Sequence, residues 1–351
     1  MTTVRALSLS AIAIAFIGCG DKDAEETAAP CDISIQETFP AAGATNAYYR
    51  GAIEAHLTDE DPTAVITMDG VSGTSWLNED QDIVYFQPDE PLTPNTDYEF
   101  TVSYCFADAP VSFRTSSLGE TIADPASLVG NTYDLNLQDG RVVIPEGVGS
   151  VLEQYLEVSI LIKVDDLTGN DLTMNGALAD EDDATLQDYC TPTLDFPVAD
   201  FSTAPFFGIG PADTTISVAG YSVTIEDLEV TGTFSADGSY WGGGVLAGVI
   251  DTRALSSLVG DDAEDSAVCD LVAGFGVSCV TCASDGTDFC LEIRAVDLGG
   301  ELLSESDVET IEYEDCHASC SDTCDDTDGD GTYDGFTNAS CDLVFEEVCA
   351  Q

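Results

Sequence analysis

The chain has 351 residues and a net charge of −59, from 67 acidic against 8 basic side chains. This length allows two or three domains, and an apolar share of 44% supports real cores, which excludes a disordered protein. The charge excludes nucleic acid and anionic membrane surfaces as partners, because both would be repelled. Divalent cations, a basic partner or a saline medium suit such a chain better, although a solubilising role explains most carboxylates equally well.

The first 18 residues have the pattern of a secretory signal peptide. Arg5 precedes an apolar run over residues 6–17, which is too short to span a bilayer. Gly18 and Cys19 follow this run, and the pair resembles the lipobox of bacterial lipoproteins, in which the cysteine is acylated. The resemblance implies a lipid anchor on Cys19 at the outer membrane or cell surface. The alternative is an ordinary signal peptide whose cleavage site contains a cysteine.

Twelve cysteines remain after Cys19, an even number that can pair completely. Export places them in an oxidising compartment, where disulfides form and persist. Nine lie between Cys269 and Cys349, so the C-terminal third depends most on covalent bridges. Cys279 and Cys282 form a CxxC motif, which favours bridges in an exported chain, with zinc binding or redox chemistry as the alternatives.

Residues 19–30 form a polar, acidic tether, and residues 31–117 show short strands and turns at the spacing of a β-sandwich. The second segment resembles the bacterial Ig-like domain of surface proteins, which implies a spacer or adhesion module without an active site. We expect Cys31 and Cys105 to pair within it, and the hydroxyl of Tyr98 to bond the preceding turn. The residues that carry the resemblance are Pro40, Gly43, Ala44, Thr45, Asn46, Pro88, Leu92, Thr96, Tyr98, Phe113 and Thr115.

Residues 120–313 predict a second β-rich domain, a sandwich or barrel with a hairpin at residues 168–170. A run of glycines at 242–244 predicts a bulge or tight bend. The pattern over residues 253–275 indicates one or two short helices, with Cys269 on the second. A barrel would allow an apolar ligand, so four phenylalanines are either core residues or a pocket lining: Phe196, Phe201, Phe206 and Phe207.

The order of residues from Ile250 through Cys269 to Cys290 resembles uncharacterised secreted lipoproteins of myxobacteria. This resemblance implies no known activity. It agrees with the acylated, exported protein that the N-terminus predicts.

Residues 314–351 form a cysteine-rich tail with an acidic loop that resembles the calcium loops of thrombospondin type 3 repeats and dockerins. Alternate carboxylates can surround one hard cation, and Gly331 allows the sharp turn between them. An EF-hand would need glutamate at the twelfth position, where this chain has Thr337. The alternative is a solvated acidic linker. The predicted calcium ligands are Asp326, Asp328, Asp330, Thr332 and Asp334.

We expect a protein that is not an enzyme, because the chain has only His56 and His317 for a catalytic triad and lacks nucleophile-elbow, P-loop and dinucleotide motifs. The first hypothesis is a cell-surface lipoprotein for adhesion or envelope scaffolding, with calcium in its tail and a protein or glycan partner. A carrier of an apolar ligand in the middle domain is the alternative. A secreted hydrolase that uses paired carboxylates is the second alternative.

Overall fold

The computed structural model describes residues 31–146, 159–180, 183–188, 191–218, 221–260, 263–303 and 306–311, and the backbone of 324–325 and 335–336. The fold is mainly β, as the sequence predicts, with an Ig-like sandwich followed by a curled half-barrel. Cys19 and the tether precede the described residues. Within the described part of the chain, no helix is long and apolar enough to cross a membrane.

The sandwich consists of two antiparallel sheets that face each other across one apolar core. The first sheet has the order β1-β2-β5-β4 and the second has the order β3-β6-β7, which is the arrangement of a constant-type Ig domain. The strands are β1 Ile35–Phe39, β2 Ile53–Leu57, β3 Val65–Met68, β4 Gly73–Leu77, β5 Ile83–Pro88, β6 Asp97–Tyr104 and β7 Ala107–Arg114.

Local hydrogen bonds explain why the turns of the sandwich are well defined. The backbone N–H of Thr93 donates to the hydroxyl of Tyr98 at 2.9 Å, which confirms the predicted bond at the start of β6. The turn after β1 carries the chain to the other sheet, where the N–H of Gly43 donates to the carbonyl of Ser112 at 2.8 Å. The turn that follows β1 therefore links the two sheets.

The half-barrel is one long antiparallel sheet with the order β8-β10-β11-β13-β14-β15-β16-β17-β9, and β12 pairs with β11. Strands that are neighbours in the chain are mostly neighbours in this sheet. They are β8 Thr132–Asn136, β9 Arg141–Ile144, β10 Ser159–Thr168, β11 Asp171–Leu178, β12 Leu194–Asp195, β13 Ala199–Asp200, β14 Phe206–Val218, β15 Tyr221–Phe234, β16 Tyr240–Asp251 and β17 Cys290–Glu301.

The sheet curls until the end of β17 meets β8, near the start of the domain. Tyr133 and Leu302 form an antiparallel bridge, and the N–H of Leu303 donates to the carbonyl of Thr132 at 2.8 Å. Glycines permit the bend: the register of β16 against β17 shifts between Trp241 and Gly244, as the sequence predicts for this glycine run. The hairpin predicted at residues 168–170 is also present and joins β10 to β11.

Aromatic side chains fill the interior of the half-barrel. Phe201 and Phe207 are 3% and 4% exposed, and their rings lie 6.1 and 5.1 Å from that of Phe234. Phe196 is partly buried and packs against the same cluster. Phe206 lies elsewhere, under a guanidinium group of the sandwich. Phe201 and Phe207 are therefore core residues, whereas Phe196 packs against the core and also borders a groove beside β12.

The two units meet in a joint that uses two of the few basic side chains. Arg141 of the half-barrel binds the carboxylate of Glu54 in the sandwich through two hydrogen bonds, of 2.9 and 3.1 Å. Arg50 of the sandwich lies over the ring of Phe206, with its guanidinium carbon 4.0 Å from the centroid. The hydroxyls of Tyr48 and Thr233 are 2.8 Å apart across the same joint.

Two short helices follow β16 at the end of the half-barrel away from the joint. A 3₁₀ helix spans Thr252–Leu258, and α1 spans Ala267–Ala273 and carries Cys269. Both lie where the sequence predicts helices. Because β16 begins at Tyr240 beside the sandwich and ends at Asp251, these helices occupy the opposite end of the half-barrel.

Candidate recognition site on the disulfide-stapled insert

The predicted calcium ligands Asp326, Asp328, Asp330, Thr332 and Asp334 lie outside the described residues, so calcium binding stays a prediction. Among the residues that the structure does describe, no group of three or more His, Cys, Asp or Glu is placed to hold a metal ion.

Disulfide bonds brace both ends of the described molecule. Cys31 and Cys105 are joined within the sandwich, with their Cα atoms 5.8 Å apart. At the other end, the two cysteines of the CxxC motif bond different partners. Cys279 pairs with Cys269, and Cys282 pairs with Cys290. Those bonds occupy both thiols of the motif, which excludes it as a zinc or dithiol redox site in this state.

We name residues 252–289 the stapled insert. It replaces an ordinary hairpin loop, since Asp251 of β16 and Cys290 of β17 are paired neighbours in the sheet. Hairpin loops usually contain about 2–5 residues, and much longer loops are generally functional. Two bridges with sequence separations of 10 and 8 residues brace the second half of the insert, and the second bridge ties it to the start of β17.

Polar contacts fix the insert to the sheet below it. The carboxylate of Glu226 on β15 accepts hydrogen bonds from the backbone N–H groups of Ala283 and Ser284, both at 2.7 Å. Arg253 donates to Asp251 and to Asp285, each at 2.6 Å. Hydrogen bonds from Thr287 and then from Arg253 lower the pKa of Asp285 to about 2. The carboxylates of Asp251 and Asp285 therefore stay charged and keep their hydrogen bonds with Arg253 over the physiological pH range.

The insert exposes apolar side chains despite this bracing. Among the described residues, ten large hydrophobic side chains are exposed, and four of them belong to the insert. Several exposed apolar side chains on one element can form a binding surface where they lie together. The four are Val259 at 44%, Leu271 at 47%, Phe275 at 52% and Val280 at 38% exposure.

A second candidate site is a groove of about 230 Å³ beside β12. Asp195 lies in this groove, and the sheet register places Asn175 and then Lys163 beside it on the next two strands. Asp165 follows on β10. Burial raises the pKa of Asp165, and the negative charges of Asp307 and Asp195 raise it further against the lowering effect of Lys163. A carboxyl group whose pKa is raised next to another carboxylate is a candidate proton donor for acid–base catalysis.

No protein-family profile matches this chain, and its sequence has no significant match among characterised proteins. Solved structures similar to it include an L,D-transpeptidase from Mycobacterium smegmatis, with 11% identity over 57% of this chain and 76% of that one, and a TM-score of 0.22. L,D-transpeptidase 3 from Mycobacterium tuberculosis has 13% identity over 24% of this chain and a TM-score of 0.19, and the chain spans only 38% of its length. Domains 4–9 of the surface layer protein SbsC have 11% identity over 62% of this chain and 28% of that one, and a TM-score of 0.20.

These neighbours contradict the prediction that the chain is not an enzyme, because four of the similar structures are L,D-transpeptidases. We therefore withdraw that prediction. Its weakness was that sequence motifs reveal only catalytic residues lying close together in the chain, whereas sites assembled from distant strands leave no such motif. At TM-scores of 0.19 to 0.22 the likeness assigns no activity or substrate to this chain.

Sequence reasoning also missed the residues that build both sites. Glu226 is 57 residues from the N–H of Ala283, and only the sheet brings them together. The groove beside β12 has the same origin, since Asp195 and Lys163 lie on separate strands. With 67 acidic residues in the chain, no spacing singles out these carboxylates.

Proposed function

We propose that this protein is a lipid-anchored protein of the outer membrane or cell surface that binds a protein partner through the stapled insert. The sandwich spaces the half-barrel from the anchor on Cys19, and the half-barrel presents the insert at its far end. The observation that carries the proposal is the exposure of Leu271, Phe275, Val259 and Val280 on an element braced by two disulfides.

The chemistry of the insert defines the kind of partner. The insert also carries acidic side chains, including Asp270, Asp285 and Asp288, and the whole chain has a net charge of −59. A partner with an apolar patch bordered by lysine and arginine matches both features. Charge steers the encounter, and burial of Leu271 and Phe275 slows dissociation.

Site-specific photo-crosslinking on intact cells tests this proposal. A photoreactive phenylalanine analogue at position 275 is expected to capture one discrete protein, and Leu271→Ser should abolish the adduct. The same analogue at Val198, which is 57% exposed on the half-barrel, serves as the matched control. Equal adducts at both positions, or none at position 275, would show that the insert is not the binding surface.

Calcium binding by the tail is a separate part of the proposal and rests on the spacing of Asp326, Asp328 and Asp330. Extracellular loops of this kind bind at about 10⁻⁴ to 10⁻³ M. Calorimetric titration of the folded protein with millimolar calcium should show heat that disappears in a variant carrying Asp328→Asn and Asp330→Asn. The absence of heat from the unaltered protein would exclude the site.

A carboxylate-dependent hydrolase is the second candidate function, and the raised pKa of Asp165 beside Asp195 favours it. The first residue would donate a proton and the second would act as base or nucleophile. Release of reducing ends from cell-wall polysaccharide should be lost in Asp165→Asn and Asp195→Asn, and kept in Asp171→Asn, an exposed residue elsewhere on the sheet. No release by the unaltered protein would end this candidacy.

A further inference from the structure

The tip of the hairpin between β6 and β7 presents a fully exposed phenylalanine. Tyr104 and Ala107 are paired, so Cys105 and Phe106 form a two-residue turn. Phe106 is 98% exposed, more than any other large hydrophobic side chain in the described part of the protein. Its ring therefore contributes no packing to the fold.

The backbone of this turn makes the choice of phenylalanine more unusual. Cys105 and Phe106 have φ values of +51° and +62°, a left-handed conformation that asparagine and glycine adopt far more easily. Two contacts hold the turn in place: the disulfide to Cys31, and a hydrogen bond of 2.8 Å from the N–H of Cys105 to Asp61. Strain that is held so firmly commonly marks a functional position.

The disulfide also limits how far this tip can lie from the predicted anchor. Cys31 begins the described structure and is bonded to the tip. The chain from Cys19 to Cys31 extends at most about 40 Å. In an acylated protein, Phe106 therefore lies on the part of the sandwich that the tether ties to the anchor, and the hairpin places it at the end of β6 and β7 away from the contact of Ser117 with Tyr240 of the half-barrel.

We propose that Phe106 inserts into the surface of the bilayer that holds the lipid anchor, and that it fixes the tilt of the sandwich on that surface. The inference rests on the acylation of Cys19 in the proposed function. An aromatic side chain at the bilayer interface adds a second attachment to the acyl chains, and a rigid tip converts that attachment into a defined orientation.

The charge around the tip defines the kind of membrane. Asp108 follows the turn, and Asp59, Glu60 and Asp61 lie in the loop that bonds Cys105. These carboxylates are repelled by anionic lipids, so the contact requires a surface without net negative charge or a high salt concentration.

The test uses the full mature protein, acylated at Cys19 and reconstituted into phosphatidylcholine vesicles. Phe106→Trp places a reporter at the tip, in a background where Trp76→Phe removes the exposed native tryptophan. Lipids brominated near the glycerol backbone should quench the reporter and shift its emission to the blue. Val198→Trp in the same background is the control and should stay unquenched. Adding anionic lipid at low salt should reduce the quenching severalfold.

Flotation of the protein with vesicles and quenching of the tip reporter together separate the outcomes. Vesicles that float with bound protein but leave the tip reporter unquenched overturn this inference alone. Protein that fails to float overturns the anchor and, with it, the inference. A tip reporter quenched only when a second protein is added would assign Phe106 to a protein partner instead and would also overturn it. Phe106→Asn provides the opposite check, because relief of the turn should raise Tm by about 2–4 °C while the preferred tilt is lost.

Discussion

The sandwich and the half-barrel are both antiparallel β-structures, but they are held together over very different distances along the chain. In the sandwich, each sheet forms from strands within residues 35–114, and turn residues such as Tyr98 act within five positions. The half-barrel closes only where Asp134 meets Glu301, 167 residues later in the chain. Every strand pairing of the sandwich lies within residues 35–114, whereas the half-barrel needs one contact across 167 residues of the chain to close.

The largest expected effect breaks the half-barrel alone. Phe234→Ala removes a ring that is 2% exposed and lies among Phe201, Phe207 and Tyr133, so it should destabilise this unit by about 3–5 kcal/mol. Urea unfolding followed by tryptophan fluorescence checks it, because Trp241 reports the half-barrel and Trp76 reports the sandwich. Phe275→Ala on the exposed insert is the control, with an expected change below about 0.5 kcal/mol. Equal losses at both positions would contradict the core assignment.

Removing disulfides should separate the two regions in a second way. The Cys31–Cys105 bridge spans 74 residues, and loop-closure entropy predicts that its loss costs about 4 kcal/mol. The Cys282–Cys290 bridge spans 8 residues and should contribute about 2.5 kcal/mol. Paired serine substitutions with calorimetry give both values. We expect the first pair to lower only the sandwich transition and the second to leave that transition unchanged, and the reverse pattern would contradict the assignment.

The joint between the units is the next test. Arg141→Met leaves the buried carboxylate of Glu54 without its partner and should cost about 3 kcal/mol. Arg114→Met removes an exposed pair with Asp97, in which the carboxylate is 80% accessible, and should cost less than about 1 kcal/mol. Thermal unfolding of both variants provides the measurement. We expect Arg141→Met to move the unfolding transitions of the two units further apart, and similar small losses in both variants would show that the joint does not couple the units.

The smallest expected effect concerns pH. Burial raises the pKa of Glu54, but hydrogen bonds from His56 and Arg141 outweigh it and hold the pKa below its ordinary value of 4.5. A carboxylate with a lowered folded pKa stabilises the protein above its unfolded pKa and loses that contribution as pH falls through the folded pKa. The difference in Tm between the unaltered protein and Glu54→Gln should therefore be full near pH 7 and shrink below pH 4.5. A difference that stays constant from pH 7 to 3 would contradict this.

The same contrast explains how much the sequence could predict. The sandwich could be predicted from the sequence because its signals are local. They are the glycine turn at Gly43, the hydrogen bond that the hydroxyl of Tyr98 accepts, and strands of regular length. The hairpin at Gly169 and the bend at Gly243 could be predicted for the same reason. The joint between the units could not be predicted, because Glu54 and Arg141 are 87 residues apart and no local pattern selects one glutamate from so many acidic residues.

The candidate sites were harder to predict from the sequence than the fold. The sequence indicated short helices in the insert, but it allowed about 945 ways to pair the ten later cysteines. Exposure of Leu271 and Phe275 could not be predicted either, since an apolar residue on a short helix is more often buried. Phe106 shows the same limit, because its position directly after a cysteine gives no sign that its ring faces solvent.

The scarcity of basic side chains affects how readily proteases digest the protein. Proteases that cleave after lysine and arginine have eight target bonds in 351 residues. Of the target residues, Arg141 and Lys163 lie in β-strands and Arg253 is tied to two carboxylates. Cleavage needs an extended, accessible segment, which paired strands do not offer. The ion pair of Arg141 with Glu54, which joins the two units, thus also keeps one of these few bonds away from a protease.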